Sequence, residues 1–299
     1  MSYDATKKTV VITGASSGIG HACVLRMVQA GWVVFAAVRK TEDGEKLQKQ
    51  TGTGLIPLIV DVKDHASIVA AAKQVEAQMN NFGLDGLVNV AGIGMTRPVE
   101  YVTPDDLQEM FDVNVFGQIA VSQAFLPLIR RARGRIVNIS SVGAHIAIPF
   151  GGLLNASKGA FGLFSDALRL ELHPFGVRVC VIEPGSIKTP SVGKTLGDVD
   201  VVIGNLPPGG AVRYGEMLRS FTRRAYTREI NGSPPDVVAE AVQHALTARR
   251  PRTRYQVGKD AKLLVTLPRI LPDRLLDALR LRLFGLPTRF GAIASPRDK

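Results

Sequence analysis

The chain has 299 residues, 45% of them apolar and 21% charged, with 37 Lys and Arg against 26 Asp and Glu. That length and apolar share fit one large globular domain and exclude a disordered chain. The formal charge of +11 is concentrated at the end, where Arg249 to Lys299 carry thirteen Lys and Arg against four Asp; without aromatic–basic interleaving or a nucleic-acid motif, no nucleic-acid partner is expected.

The first residues, MSYDATKK, run straight into an apolar VVIT with no secretory core or cleavage site, and no eighteen-residue uncharged apolar run follows. The expectation is a cytoplasmic chain without a membrane span, in which Cys23 and Cys180 are reduced core thiols rather than a disulfide. Apolar, β-branched runs then alternate with segments of helical length. TVVIT (9–13), WVVFAAV (32–38), LIPLIV (55–60), GLVNV (86–90), RIVNIS (135–140) and VRVCVIE (177–183) read as strands, and 19–30, 64–80, 105–131 and 155–173 as helices between them. Strands that are apolar on both faces imply a parallel sheet covered on both sides. Right-handed crossovers then give a doubly wound α/β sheet of the Rossmann type. A seventh strand is expected near 254–257, after a helix opened by SPPDVVAEAV with Ser233 as its cap.

Residues 1–258 therefore read as one dinucleotide-binding and catalytic domain. Within it, 190–230 mix Gly, Pro and polar residues without a strong period and are expected to form an irregular substrate loop at the carboxyl end of the sheet. Residues 259–299 read as a basic, amphipathic C-terminal extension. In its 268–286 part, Pro272 and Asp273 suit a helix start and Gly285 with Pro287 its end. Leu275, Leu276, Leu279 and Leu283 fall on one helical face, with Arg274, Arg280 and Arg282 around it. Four roles compete for this segment: a cap over the substrate loop or a subunit contact, a peripheral membrane-surface helix, attraction of an anionic substrate such as a thioester of a phosphorylated carrier, and nucleic acid, for which the sequence gives little support.

Five motifs carry chemistry. TGASSGIG (13–20) lies between the first strand and the first helix. Gly14, Gly18 and Gly20 let the backbone turn sharply and approach a pyrophosphate at the helix N-terminus, with Ser16, Ser17 and Ile19 beside it. AAVRKT ends the second strand with no Asp or Glu in 32–41, and Arg39 offers a cation to a ribose 2′-phosphate, which favours NADP over NAD. Asp61 and Val62 end the third strand, where Asp61 either reaches an adenine edge or caps the next helix. NVAG places Asn89 and Ala91 at the end of the fourth strand, and Asn114 stands in a helical segment as a core polar group or part of a proton relay. PGSIKTP follows the sixth strand and puts Pro184, Gly185, Ile187 and Thr189 where a nicotinamide carboxamide can bind.

TGASSGIG, NVAG, Asn114, the ISS of 139–141, the ASK of 156–158 and PGSIKTP stand in the order and spacing of the short-chain dehydrogenase/reductase superfamily, which residues 8 to 257 resemble. VFAAVRK and the basic tail are similar to hydroxysteroid and retinol dehydrogenase-like members. The resemblance implies an NAD(P)-dependent oxidoreductase with a catalytic serine, tyrosine, lysine and asparagine. Carried over, these are Ser141, Lys158 (which also binds the ribose) and Asn114, but the tyrosine position holds Leu154. Leucine has no exchangeable proton, so His145, Tyr214, Tyr226 or Lys158 through a water are the candidates to replace it.

Two functions follow. One is an atypical NADP-preferring reductase acting on a small lipophilic alcohol or ketone, given the apolar GAHIAIPFGGLL. The other is a dinucleotide-binding pseudoenzyme with a scaffold or sensing role. The segment GLLNASKGAFGLFSDALRLEL is apolar on more than one helical face, and the resemblance implies a homodimer or homotetramer built on it.

Overall fold

The six apolar runs and the segment near 254–257 each form a strand: β1 (Thr9–Ile12), β2 (Val33–Val38), β3 (Leu55–Ile59), β4 (Gly86–Asn89), β5 (Arg135–Ile139), β6 (Arg178–Pro184) and β7 (Arg254–Val257). The computed structural model describes residues 7–79 and 82–292. The strands pair in the order β3-β2-β1-β4-β5-β6-β7, every pair parallel. The chain winds outward from β1 to β3 and restarts on the other side at β4. The carboxyl ends of β1 and β4 are thus the switch point where such sheets bind ligands.

The two-residue side-chain period splits the sheet between two cores. Val10, Ile12, Val34 and Ala36 face the layer of α1 (Gly18–Gln29) and α10 (Asp236–Thr247). Val11, Phe35, Ala37 and Leu87 face α3 (His65–Gln78), α5 (Gly117–Ala132) and α6 (Gly152–Leu172). Cys23 and Cys180 are buried in the first layer as free thiols.

Several elements depart from the sequence reading. TEDGEKLQKQT folds as α2 (Thr41–Thr51), anchored by only Gly44 and Leu47. The expected single helix over 105–131 is α4 (Pro104–Phe111), then a π turn over Asp112–Phe116, then α5. Position 80 of the helix expected over 64–80 lies outside the described residues. Ser233 does not cap α10, which begins at Asp236; its Oγ instead accepts a hydrogen bond from Lys259 N at 3.0 Å. Residues 190–230 are helical rather than irregular, forming α7 (Ser191–Leu196), α8 (Val199–Gly204) and α9 (Pro208–Ile230). These pack around a third core in which Phe150, Leu196, Leu218, Phe221 and Phe284 are buried.

The C-terminal extension forms α11 (Ala261–Ile270) and α12 (Asp273–Phe284), ended by Gly285 at φ 72°; residues 293–299 lie outside the described residues. Phe284 drives into the third core, its ring centroid 5.7 Å from that of Phe221. Of the expected apolar face of α12, only Leu276 is buried, while Leu275, Leu279 and Leu283 face solvent. Among the described residues one helical run, Pro104–Ala132, is long and apolar enough to cross a membrane by length and composition, and 56% of its most apolar window is buried inside the fold.

Candidate active site

The glycine-rich turn is built for close backbone approach. Gly14 and Gly18 have φ of 63° and 56°, in the left-handed region that disfavours a side chain. A Cβ on Gly14 would stand 2.9 Å from the Ala91 backbone, and one on Gly20 would collide with the Gly14 carbonyl. Thr13 Oγ1 accepts from Val90 N and Ala91 N at 2.9 and 3.1 Å, which locks NVAG beside the turn. Ser17 precedes α1 without a side-chain cap, so the first N–H groups of that helix remain open to an anion. Ser16 and Ser17 are exposed at the turn, and Ile19 faces the adjoining chamber. This cradle fits a dinucleotide pyrophosphate. Gly18 also lies against Thr189, whose Cβ would be 3.3 Å from an added Cβ, so the two ends of the site meet.

Arg39 follows β2 directly and is exposed, as is Lys40, while the first acids, Glu42 and Asp43, sit in the opening turn of α2. Asp61 does not cap α3. Its Oδ1 accepts from Lys63 N at 2.9 Å, and Asp64 caps instead, accepting from Ala66 N at 2.9 Å. Val62 packs at the start of α5, where its carbonyl leaves no room for a side chain at position 117. Asn89 turns its side chain into the fold and away from the chamber: Nδ2 donates to Ser122 Oγ at 2.9 Å and Asn138 Oδ1 at 2.8 Å.

At the carboxyl end of the sheet lies a chamber of ≈ 440 Å³. Ser141, Leu154, Lys158, Pro184, Gly185, Ile187 and Thr189 all line it. Ser141 Oγ accepts from Gly143 N at 3.0 Å, and its own proton has no acceptor among the described residues. Lys158 is 8% exposed, and its Nζ donates to Ile139 O at 3.0 Å. Burial pushes its ammonium down to about 8. Asn114 owes its position to the π turn, a feature concentrated at functional sites. It is fully buried and clamps Ile93: Oδ1 accepts from Ile93 N at 2.8 Å, while Nδ2 donates to Ile93 O at 2.9 Å and Ser157 Oγ at 3.0 Å. Its Oδ1 and Lys158 Nζ would lie 3.2 and 3.4 Å from a Cβ on Gly92, so the two groups converge there.

The structure redirects most candidates for the missing acid. His145 is not on the chamber wall; its Nε2 lies 2.7 Å from Glu183 Oε1. Glu183 also pairs with Arg254 and accepts from Gln256. Burial opposes its ionisation, yet His145, Gln256 and Arg254 hold its carboxyl below the ordinary range. Tyr214 bonds outward to Glu100 at 2.9 Å, and Tyr226 is 50% exposed. Among the described residues no tyrosine lines the chamber.

Asn155 and Glu229 are among the chamber groups that escaped the sequence reading. Asn155, next to Leu154, donates to Ile146 O at 2.9 Å, and its Oδ1 is buried without a partner near Ser141. Glu229, from α9, accepts from Ser186 Oγ at 2.9 Å. Burial raises its carboxyl pKa against the Ser186 bond and the Arg228 charge. Neither belongs to a motif; only the folded positions of α6 and α9 bring them in.

Comparison with known proteins agrees with this geometry. The family model for short chain dehydrogenase matches residues 8–200. Retinol dehydrogenase 5 of Mus musculus is 38% identical over 284 residues, covering 93% of this chain and 89% of the relative. A crystal structure of a short-chain dehydrogenase from Streptomyces avermitilis superposes with TM-score 0.74 at 29% identity, covering 94% and 96% of the two chains. One from Burkholderia cenocepacia J2315 in complex with NADP gives TM-score 0.68 at 25% identity, covering 93% and 97%. The glycine cradle at the switch point, with a serine and a buried lysine on one chamber wall, thus stands in a chain that belongs to the short-chain dehydrogenase/reductase family of NAD(P)-dependent oxidoreductases.

Proposed function

We propose that the chain is an NADP-preferring oxidoreductase that moves hydride between nicotinamide and a lipophilic secondary alcohol or ketone. The observation that carries this reading is the chamber, where Ser141 and Lys158 stand among apolar walls formed by residues such as Ile93, Met95, Ile146 and Phe221. Retinol, named in the relative, is likewise a lipophilic alcohol, although a primary one. When bound, the cofactor supplies or accepts hydride at nicotinamide C4. Arg39 would hold its 2′-phosphate, the glycine turn its pyrophosphate, and Ile187 and Thr189 its carboxamide. Ser141 donates its free proton as a hydrogen bond to the substrate oxygen.

Leu154 leaves that oxygen without a phenol. With its pKa about 8, Lys158 carries a proton at neutral pH that a bridging water would pass to the substrate oxygen. A positioned acid contributes about 10²–10⁴-fold, and a relay of this kind recovers only part of it, so turnover is low. A second reading, a dinucleotide-binding pseudoenzyme with a scaffold or sensing role, is favoured by Leu154 itself and by the lack of a chamber tyrosine among the described residues. A panel of ketones and alcohols assayed with NADPH and NADH separates the two. The first reading expects NADPH-dependent turnover of a lipophilic member; tight NADPH binding without turnover of any member supports the second.

We further propose a homodimer or homotetramer through α6, where Leu163 and Leu170 are 74% and 70% exposed two turns apart. A monomer by light scattering at micromolar concentration contradicts this. Finally, a cytoplasmic chain in peripheral contact with an anionic membrane is proposed from exposed Leu275, Leu279 and Leu283 beside Arg274 and Arg282 on α12.

A further inference from the structure

Beside the chamber lies a second concavity of opposite character. Arg223, Arg224, Thr227, Arg228, Asn231 and Lys259 line a cleft of ≈ 390 Å³. The helical repeat of α9 explains the adjacency. Phe221, Ala225 and Glu229 fall on the stripe that faces the chamber, and Arg224, Thr227 and Asn231 on the next one. Arg228 stands between them and lines both spaces. It is held there by Ser186 Oγ, which accepts from its Nε at 3.1 Å, and by Asp260 at 3.1 Å.

The other cations of the cleft lack such compensation. Among the described residues, Arg224 reaches only the Arg282 carbonyl at 3.4 Å, and Lys259 only the Asn231 carbonyl at 3.5 Å, through their side chains. Among the described residues no carboxylate pairs with Arg223, Arg224 or Lys259. The nearby Asp260 is engaged by Arg228, and Glu229 is turned to Ser186. Like charges gathered in a concavity with hydroxyl and amide donors repel one another until an anion enters. Two guanidinium forks and an ammonium match the oxygens of a phosphate.

We infer that this cleft binds the phosphate headgroup of an amphiphilic substrate whose apolar chain enters the chamber past Arg228. The inference rests on the reading of the chamber as the substrate site, and it narrows the substrate class from lipophilic alcohols and ketones in general to those carrying a phosphate.

The test uses the full chain loaded with NADPH and calorimetric titration with three probes: decyl phosphate below its micellar concentration, uncharged 1-decanol, and inorganic phosphate. It compares the native protein with the triple variant Arg223→Gln/Arg224→Gln/Lys259→Gln, whose changed side chains are all exposed, after its melting curve confirms the fold. Native protein is expected to bind decyl phosphate at least tenfold more tightly than either other probe, with decyl phosphate displacing 1-decanol. The variant is expected to lose about tenfold or more for decyl phosphate and to keep its affinity for 1-decanol and NADPH. Equal affinity of the two proteins for decyl phosphate overturns the inference. So does simultaneous binding of decyl phosphate and 1-decanol, or inorganic phosphate binding as tightly as decyl phosphate; either marks a separate site for a free phosphate or a lipid headgroup. If 1-decanol fails to bind while NADPH and decyl phosphate do, it is the chamber reading that falls, and the continuous path with it.

Discussion

Replacing Lys158 by methionine removes the one buried cation on the chamber wall and keeps most of its volume. Burial lowers the Lys158 pKa from 10.5 to about 8. Keeping it charged at pH 7 therefore costs the folded protein about 3 kcal/mol relative to the unfolded chain. The methionine avoids that cost but leaves the Ile139 carbonyl without the donor it has at 3.0 Å, a loss of about 1 kcal/mol. Lys158→Met is thus expected to raise stability at pH 7 by about 2 kcal/mol while abolishing turnover. The sign with pH follows from proton counting. Between the folded pKa near 8 and the unfolded 10.5, the unfolded lysine holds a proton that the folded one has lost, so native stability rises with pH in that window. Chemical denaturation of both proteins from pH 7 to 9.5 reads this directly. The advantage of the variant is expected to shrink by about 2 kcal/mol over that range. Taking the difference cancels the opposite trend of Cys23 and Cys180, whose thiols burial pushes up to about 12 and about 11. A variant that is less stable than the native protein at pH 7, with a gap independent of pH, refutes the reasoning.

Arg39→Asp is expected to reverse a preference for NADPH over NADH in fluorescence titration, and equal affinities in the native protein remove the basis for that preference. His145→Ala is expected to leave turnover within about threefold while lowering the melting temperature, because it unpairs part of the buried Glu183 carboxylate; a large loss of turnover without loss of stability restores the histidine as the acid. Sedimentation with anionic vesicles is expected to carry the protein down at low salt, and the pair Leu275→Asp/Leu279→Asp to stay in solution; equal sedimentation of both excludes α12 as the contact.

Legibility in the sequence followed the strength of the burial signal. The first six strands were readable because both faces of a parallel sheet are covered, so runs such as Val33–Val38 are apolar throughout, whereas the mixed RYQV of β7 was placed by its position after the preceding helix. The α2 helix was not, since two buried positions in eleven residues leave no helical period. The long α9 helix escaped for a different reason: two of its four buried positions are Gly210 and Gly215, which pack closely yet carry no hydrophobic signal. Ser141, Lys158 and the glycine turn were legible as local motifs. The outward orientation of Tyr214, the His145–Glu183 pair across 38 residues, and the basic cleft shared by α9 and Lys259 depend on packing between distant segments, which no local pattern records.

The most direct test of the chemistry is Leu154→Tyr, assayed with NADPH on the best substrate of the panel. Position 154 lines the chamber with Ser141 and Lys158, and a phenol there is placed to give its proton to the oxygen that Ser141 polarises. With the lysine and serine already in place, the rate is expected to rise at least about tenfold, within the range a positioned acid contributes. A folded variant that binds NADPH normally and shows no gain contradicts the claim that a missing proton donor at position 154 limits this enzyme.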